Sequence, residues 1–522
     1  MQEDFILKAD PAPLELDQSR IVLIAPGLQG TGTWFSQRAS GETRAFDGQL
    51  SLIDSAISEA DVEERHTLVL DAQTPVVSAG AVRGAGAVAD DELLLRVPLN
   101  VNEAALILYR DEADIVSFHY REARSAQTST TATRALDSAG QDEFRIRLRS
   151  GTIKPATGKS DVEVRGDIGC LVSKVIKVLI VRLLPNQTGK AVVRRVKAWE
   201  DKKRADQGLH GGDADQLLAA APKPLKSLQA LAGKKALLFI HGTTSSTEGA
   251  FHELKRFPEF LTRLYAAYDG RILGFNHHTM TKNVAENVRD FYAEFASAPG
   301  EYSFDVICHS RGGLVARALA KLSDAEIARF VGEPWQRPPG VKVTIDRIVF
   351  VATPNAGTQL AQPERIPDFV ERLTNYVNMF PDGVLSIGAG ALMSIAAAIV
   401  EVGLPRLPGL ADQAPDSDLL RALSAAEGNG TADRYFAFRA NFEPSGNLVD
   451  VVKDAVVDRV FGPIENDLVV PTNGVTSTPT FNLPPAQCIA FGPGDGVHHT
   501  NFFKQDKIQE IARFLGVSKY RE

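Results

Sequence analysis

Cysteine is scarce: the 522 residues contain three, Cys170, Cys308 and Cys488. They stand far apart, with no metal-type spacing and no even-numbered framework, so a disulfide-stapled scaffold is excluded and a reducing compartment fits. Missing as well is a cationic stretch followed by an apolar run and a small-residue cleavage site after the acidic start Met1-Gln2-Glu3-Asp4-Phe5, and the expected location is the cytoplasm. Positive charge is short of negative, 57 Lys and Arg against 65 Asp and Glu, for a net charge of -8. Nucleic-acid binding needs a basic surface that neutralises phosphates, so no nucleic-acid partner is expected. No internal repeat is visible. The apolar run Ile21-Val22-Leu23-Ile24 leads into a turn with Gly27, Gly30 and Gly32, but no Gly-Lys-Ser/Thr follows and the glycine order is not that of a dinucleotide site. A plain strand-to-loop turn is the better reading.

What is present is an ordinary globular composition, 44% hydrophobic and 23% charged, in a chain too long for one core. Two or more domains are expected. Residues 1–165 read as a β-rich domain. Ala105-Leu106-Ile107-Leu108-Tyr109 and Ile115-Val116-Ser117-Phe118-His119-Tyr120 flank a polar stretch as hairpin strands would, and Phe144, Ile146 and Leu148 alternate with Arg145, Arg147 and Arg149. Those arginines read as a solvated face. Residues 121–142, rich in Ser, Thr and Ala, suit a surface loop.

Residues 166–234 read as a basic helical segment and linker. The apolar stretch 171–184 is interrupted by Lys174, Lys177 and Arg182 and followed by Arg194, Arg195, Lys197, Lys202, Lys203 and Arg204. Such a segment fits peripheral contact with a membrane surface or, preferred here, an interdomain helix whose lysines snorkel. Residues 208–226, with Gly-Gly, Ala and Pro, read as a linker. From 235 to 522 short apolar strands alternate with helical stretches, the pattern of a parallel sheet with crossover helices. The candidate strands are 236–240, 271–275, 304–308, 345–351, 435–440 and 487–491.

The strongest local signal is Phe304-Asp305-Val306-Ile307-Cys308-His309-Ser310-Arg311-Gly312-Gly313. A strand ends at a serine and a helix begins at once, the arrangement of a nucleophile elbow, in which the residues two before and two after the serine must be small. Here Cys308 stands where glycine is usual. The competing reading is a serine that only caps the helix. A second signal is the strand Leu237-Leu238-Phe239-Ile240 running into His241-Gly242-Thr243-Thr244-Ser245, a small-residue loop whose amides can face the serine. Acyl transfer requires such donors for the oxyanion, and the backbone amides of Thr243 and Arg311 are assigned to it. His241 reads as an ordering residue beneath the loop.

With Phe-Ile-His-Gly at 239–242, Cys-His-Ser-Arg-Gly-Gly at 308–313 and Val-Ala-Thr-Pro-Asn-Ala-Gly-Thr at 351–358, residues 235–518 resemble the lipase-like branch of the α/β-hydrolase superfamily. The resemblance implies an α/β-hydrolase domain with a mostly parallel sheet and a lid insertion at about 360–430, preceded by the β-rich domain. It also implies an acid after the next strand and a base after the last. Asn466-Asp467-Leu468-Val469-Val470-Pro471 looks like the acid-bearing turn, with Asp450, Asp454 and Asp458 as alternatives. Of the adjacent His498 and His499, His499 opens a short turn into the final apolar segment as the family's base does and is preferred. The implied activity is cleavage of carboxylic esters, of a small molecule or a lipid, by Ser310, His499 and Asp467, with no metal or organic cofactor. Residues 383–400 carry no charge, are rich in Ala, Gly and Ile, and are too short and weakly apolar for a membrane span. They read as a lid or pocket helix suited to an acyl chain. An amidase, thioesterase or acyltransferase would use the same residues. A different class of function is an inactive hydrolase domain in a scaffold whose N-terminal half recruits a protein partner.

Overall fold

A computed structural model of the protein describes residues 2–18, 20–36, 62–73, 92–100, 103–110, 116–119, 140–147, 174–182, 206–211, 214–219, 227–362, 365–367, 369–371, 407–427, 432–443 and 463–517, with isolated positions near 57, 194–201, 222–225, 396 and 461. Ten strands are described in the N-terminal part: β1 (Gln2–Lys8), β2 (Leu14–Leu16), β3 (Ile21–Ile24), β4 (Gln29–Ser36), β5 (Glu63–Gln73), β6 (Glu92–Leu99), β7 (Glu103–Arg110), β8 (Val116–His119), β9 (Gly140–Arg147) and β10 (Lys174–Arg182). They form a six-stranded sheet, β1-β4-β5-β10-β7-β8, and a four-stranded one, β2-β3-β6-β9. Every described pairing in both is antiparallel. The hairpin read from 105–120 is β7 against β8, with Ile107 opposite His119.

Alternation divides these strands between two cores. Ala105, Ile107 and Tyr109 of β7 and Ile176, Val178 and Ile180 of β10 meet Leu93, Leu95, Phe144 and Ile146 of the smaller sheet in one sandwich core. Leu106, Leu108, Val116, Phe118 and Leu179 point the other way and join the large apolar cluster of the C-terminal domain. The six-stranded sheet is thus covered on both faces.

The 171–184 stretch is not the interdomain helix expected. Its residues 174–182 are β10, in the middle of the larger sheet, so the β-rich domain extends past 165. A strand buried on both faces shows a near-continuous apolar run instead of alternation, and the β-branched Val175, Ile176, Val178, Ile180 and Val181 favour it. The lysines do not snorkel either. Lys177, 2% exposed, pairs with Glu64 at 2.7 Å, and buried Lys174 donates to the Ala72 carbonyl at 2.8 Å. The segment read as a linker from 208 opens with a strand, β11 (Gly208–Gly211).

Among the described residues the C-terminal sheet has seven strands: β11, β12 (Lys235–Ile240), β13 (Ile272–Asn276), β14 (Gly300–His309), β15 (Val341–Val351), β16 (Tyr435–Ala440) and β17 (Cys488–Phe491). Their order is β11-β13-β12-β14-β15-β16-β17, parallel throughout except for β11, which runs antiparallel to β13 at the edge. All six strands expected from sequence are present. Along β12, Ala236, Leu238 and Ile240 face one core and Leu237 and Phe239 the other, so this sheet too is covered on both sides. The chain steps one way from β12 to β13, then crosses back over to β14. The strand order reverses there, and in open α/β sheets the crevice at the carboxyl ends of such strands is where ligands bind.

Of the insertion at about 360–430, the described parts include Gln359–Ala361, Pro408–Ala411 and the helix Asp418–Glu427. Residues 383–400, read as the lid helix, lie outside the described residues except Ala396, which is helical and buried. Among the described residues no helix is long and apolar enough to cross a membrane.

Candidate active site

β14 delivers Ser310 to that crevice. The helix α1 (Gly312–Lys321) starts two residues later, and the serine bridges the two with φ 52°, a left-handed backbone that side chains other than glycine adopt at a cost. Its N–H is tied to the Val351 carbonyl at 2.9 Å, which helps hold the strained turn. The turn demands small neighbours unequally. A Cβ on Gly312 would lie 2.3 Å from the Ile240 carbonyl, and one on Gly313 would lie 2.3 Å from the Thr353 side chain, so both must be glycine. Cys308 meets no such wall. Its thiol sits in the core and donates to the Val349 carbonyl at 3.3 Å, which explains why a cysteine is accepted where glycine is usual. Burial pushes that thiol's pKa up, so it stays protonated.

Sequence separation collapses at this point. His499, 189 positions downstream, places Nε2 3.0 Å from the Ser310 hydroxyl. Its Nδ1 lies 2.9 Å from Asp467 Oδ2. The other oxygen of Asp467 accepts the backbone N–H groups of Val469 at 3.0 Å and Val470 at 2.7 Å. With both oxygens accepting, Nδ1 of His499 carries the proton and Nε2 is left with a lone pair toward the serine. The Asp467 carbonyl also accepts the His499 N–H at 3.0 Å, so the two residues are fixed to each other by backbone as well as side chain. All three are buried: Ser310 4%, Asp467 2% and His499 6% exposed.

His498 turns away. Its ring packs edge-on against Phe442 at 5.6 Å and its N–H donates to Asn501 at 2.9 Å. Burial drives its pKa down to about 3. Asp450, Asp454 and Asp458, the alternative acids, lie outside the described residues.

The loop after β12 passes directly beside the serine. A Cβ on Gly242 would lie 2.6 Å from the Ser310 Cβ, so only glycine lets the backbone come this close. Thr243 borders the same cavity as Ser310 and His499. No protein acceptor for the N–H of Thr243 or of Arg311 is found among the described residues. His241 lies under the loop, stacked on His277 at 4.2 Å, and accepts the His277 N–H on Nε2 at 3.1 Å. That leaves its Nδ1–H to meet the Gly242 carbonyl at 2.9 Å, an ordering role. Ala361, Phe369, Leu410 and Val469 give the cavity an apolar side.

Two side chains at the site had not been singled out. His309 directs Nε2 to the His499 carbonyl at 2.8 Å and so buttresses His499. Burial lowers its pKa to about 3, which keeps it neutral beside His499. Gln413 donates to the Thr243 hydroxyl at 3.1 Å and to the Gly409 carbonyl at 3.1 Å, and so ties the loop after β12 to the cavity wall. His309 sits inside the serine motif and was within reach of sequence reasoning; nothing local marks Gln413. The described residues contain no cluster of His, Cys, Asp or Glu that could hold a metal.

Among solved structures the chain is similar to the phospholipase PlaB from Legionella pneumophila, at 17% identity over 46% of this chain and 45% of that one, with a TM-score of 0.29. It thus spans less than half the length of that phospholipase. It is also similar to lipase 1 from Pelosinus fermentans, at 13% identity over 55% of this chain and 100% of that one, TM-score 0.35, and to EstA from Clostridium botulinum, at 12% identity over 63% and 99%, TM-score 0.33. These are partial structural likenesses. No curated protein matches the sequence. A family model described as a domain of unknown function, DUF7379, matches residues 211–516. That match takes in the six parallel strands β12 to β17 and the three residues gathered at their carboxyl ends, and the chain belongs to the DUF7379 family.

Proposed function

We propose that the protein is a serine hydrolase of the lipase-like α/β-hydrolase type that cleaves carboxylic esters. The observation that carries this is the unbroken line from Asp467 through His499 to Ser310, at 2.9 and 3.0 Å, with the serine held in a left-handed turn. A serine hydroxyl is a weak nucleophile until a base takes its proton, and the base must be held in the right tautomer. In the proposed reaction Nε2 of His499 takes the Ser310 proton as Oγ bonds to the ester carbonyl carbon. The oxyanion accepts the amides of Thr243 and Arg311. The carbonyl re-forms as the alcohol leaves with the proton from His499, and water repeats the sequence to free the acid.

Two features support a substrate with an acyl chain: the apolar side of the cavity formed by Ala361, Phe369, Leu410 and Val469, and the uncharged composition of 383–400. An apolar wall removes such a chain from water. A small-molecule or lipid ester, met in the cytoplasm or at a membrane surface, is the substrate class proposed, with neither metal nor organic cofactor taking part. Purified protein should react with a fluorophosphonate probe at Ser310 and hydrolyse a panel of p-nitrophenyl esters. Absence of both would favour the scaffold reading, and turnover of amides or thioesters over oxygen esters would reassign the bond.

A further inference from the structure

Glu200 precedes the family match and sits in the segment between the sandwich and the parallel sheet, yet it is 0% exposed. Its carboxylate caps the turn after β13. One oxygen accepts the N–H of Thr279 at 2.7 Å and of Met280 at 3.0 Å, and the Thr279 hydroxyl at 3.3 Å. The other accepts the N–H of Thr281 at 3.1 Å and also the Thr281 hydroxyl. Three successive amides converging on one carboxylate form an anion nest, and a buried carboxylate satisfied in this way is strongly localised.

From this turn contacts run to both sides of the serine. With its hydrogen committed to Glu200, the Thr279 hydroxyl accepts the Thr244 N–H at 3.0 Å. Thr244 has φ 56°, and it follows the residue whose amide is assigned to the oxyanion. Two residues past Met280, the Lys282 carbonyl accepts the buried guanidinium of Arg311 at 2.9 Å. The Met280 carbonyl accepts Gly409 N–H at 3.0 Å, and the Gly409 carbonyl accepts Arg311 Nε at 3.0 Å. The side chain of one assigned donor and the peptide beside the other are therefore anchored to a single turn.

We infer that Glu200 is a positioning residue of the active site: by fixing the 279–281 turn it sets the peptides of Thr243 and Arg311, so the hydrolase sheet is complete only with a side chain from outside the family domain. This rests on the serine-hydrolase reading. Glu200 touches no reacting atom; it acts through Thr279 and Lys282.

The test uses the full chain. In E200Q one acceptor oxygen becomes an NH2 group facing donors, so the turn loosens with little change of volume. Loss of a single oxyanion donor costs on the order of 10²–10³ in kcat, and a displaced donor should cost E200Q roughly 10- to 100-fold in kcat on a p-nitrophenyl ester, with KM within about twofold. Affinity for a boronic acid that mimics the tetrahedral state should fall in parallel. D201N is the control: Asp201 holds His278 Nε2 at 2.7 Å from the same segment but not the turn's amides, and its kcat should be that of the parent. Hydrogen exchange at the Thr244 amide should accelerate in E200Q and not in D201N. The inference is overturned if E200Q keeps its kcat and its exchange, or if D201N loses as much. Where E200A fails to fold, E200Q and E200D decide. A parent protein with no Ser310-dependent hydrolysis would sink the serine-hydrolase reading alone, because the exchange measurement still decides whether Glu200 holds the loop.

Discussion

The sandwich and the parallel sheet place backbone strain in different ways, although both pair buried charge, Lys177 with Glu64 in the first and Arg317 with Glu427 in the second. Non-glycine residues with left-handed backbone in the sandwich, Ala9, Asp17 and Gln18, occupy turns between strands. In the C-terminal domain Asp269 also occupies a turn, ahead of β13, but Thr244, Ser310, Ala352 and Leu468 lie just past the carboxyl end of a strand or beside Asp467. Strain concentrated where polar side chains converge is the mark of a site under functional constraint, whereas strain spread over turns is a by-product of topology.

Four tests, the first with two variants, would break or sharpen that contrast. The largest effect is expected at the strained serine: Ser310→Ala should cut turnover by on the order of 10⁶ and abolish probe labelling, with an unchanged circular dichroism spectrum. Asp467→Asn, which permits the wrong tautomer of His499, should cost about 10⁴ in kcat. Labelling that survives in the alanine variant would move the nucleophile elsewhere. Second, Gly242→Ala forces a Cβ against Ser310, and a displacement of about 1 Å at the reacting atoms should lower kcat by about 10². A variant as active as the parent would mean the loop has room that the 2.6 Å separation denies it.

The sandwich should respond in stability alone. Lys177→Met strands the Glu64 carboxylate, and since that carboxylate is 21% exposed the loss should be about 1–3 kcal/mol, below that of a fully buried broken pair. Urea titration would read this loss, while kcat at 25 °C should stay within about twofold for a site this remote. A large fall in kcat would show that the two regions are coupled. The smallest effect concerns pH. His309 and His498 have folded-state pKa values near 3, and His66 in the sandwich one near 4, against an unfolded value of 6.5. Between those limits the unfolded chain binds protons that the native state refuses, so stability is full above pH 6.5 and is lost as pH falls toward 3. His498→Phe should flatten that slope by up to about 1.4 kcal/mol per pH unit. An unaltered slope between pH 7 and pH 5 would mean that His498 takes up its proton in the folded protein.

Legibility depended on how each strand is buried. Strands of the parallel sheet were readable because each is a short apolar run closed by glycine or a polar turn, and the residues at their ends carry chemistry that a sheet edge can use. Ser310, Asp467 and His499 were reachable one strand end at a time. β10 reads as a helix because burial on both faces erases the alternation that identifies a strand, and its two lysines imitate the polar stripe of a helix. Glu200 was invisible for another reason: a carboxylate in a basic stretch carries no local sign that three amides 79 to 81 residues away will close around it.

The position of β10 also bears on synthesis. It lies between β5 and β7, although it follows both in the chain, so the middle of the larger sheet is its last strand to leave the ribosome. Until residue 182 emerges, β1-β4-β5 and β7-β8 are two separate half-sheets with open edges at β5 and β7, the kind of edge that recruits neighbouring chains. A nascent chain paused before residue 174 would expose both edges at once. Chaperone demand should therefore be greatest over that interval and drop when Lys177 reaches Glu64.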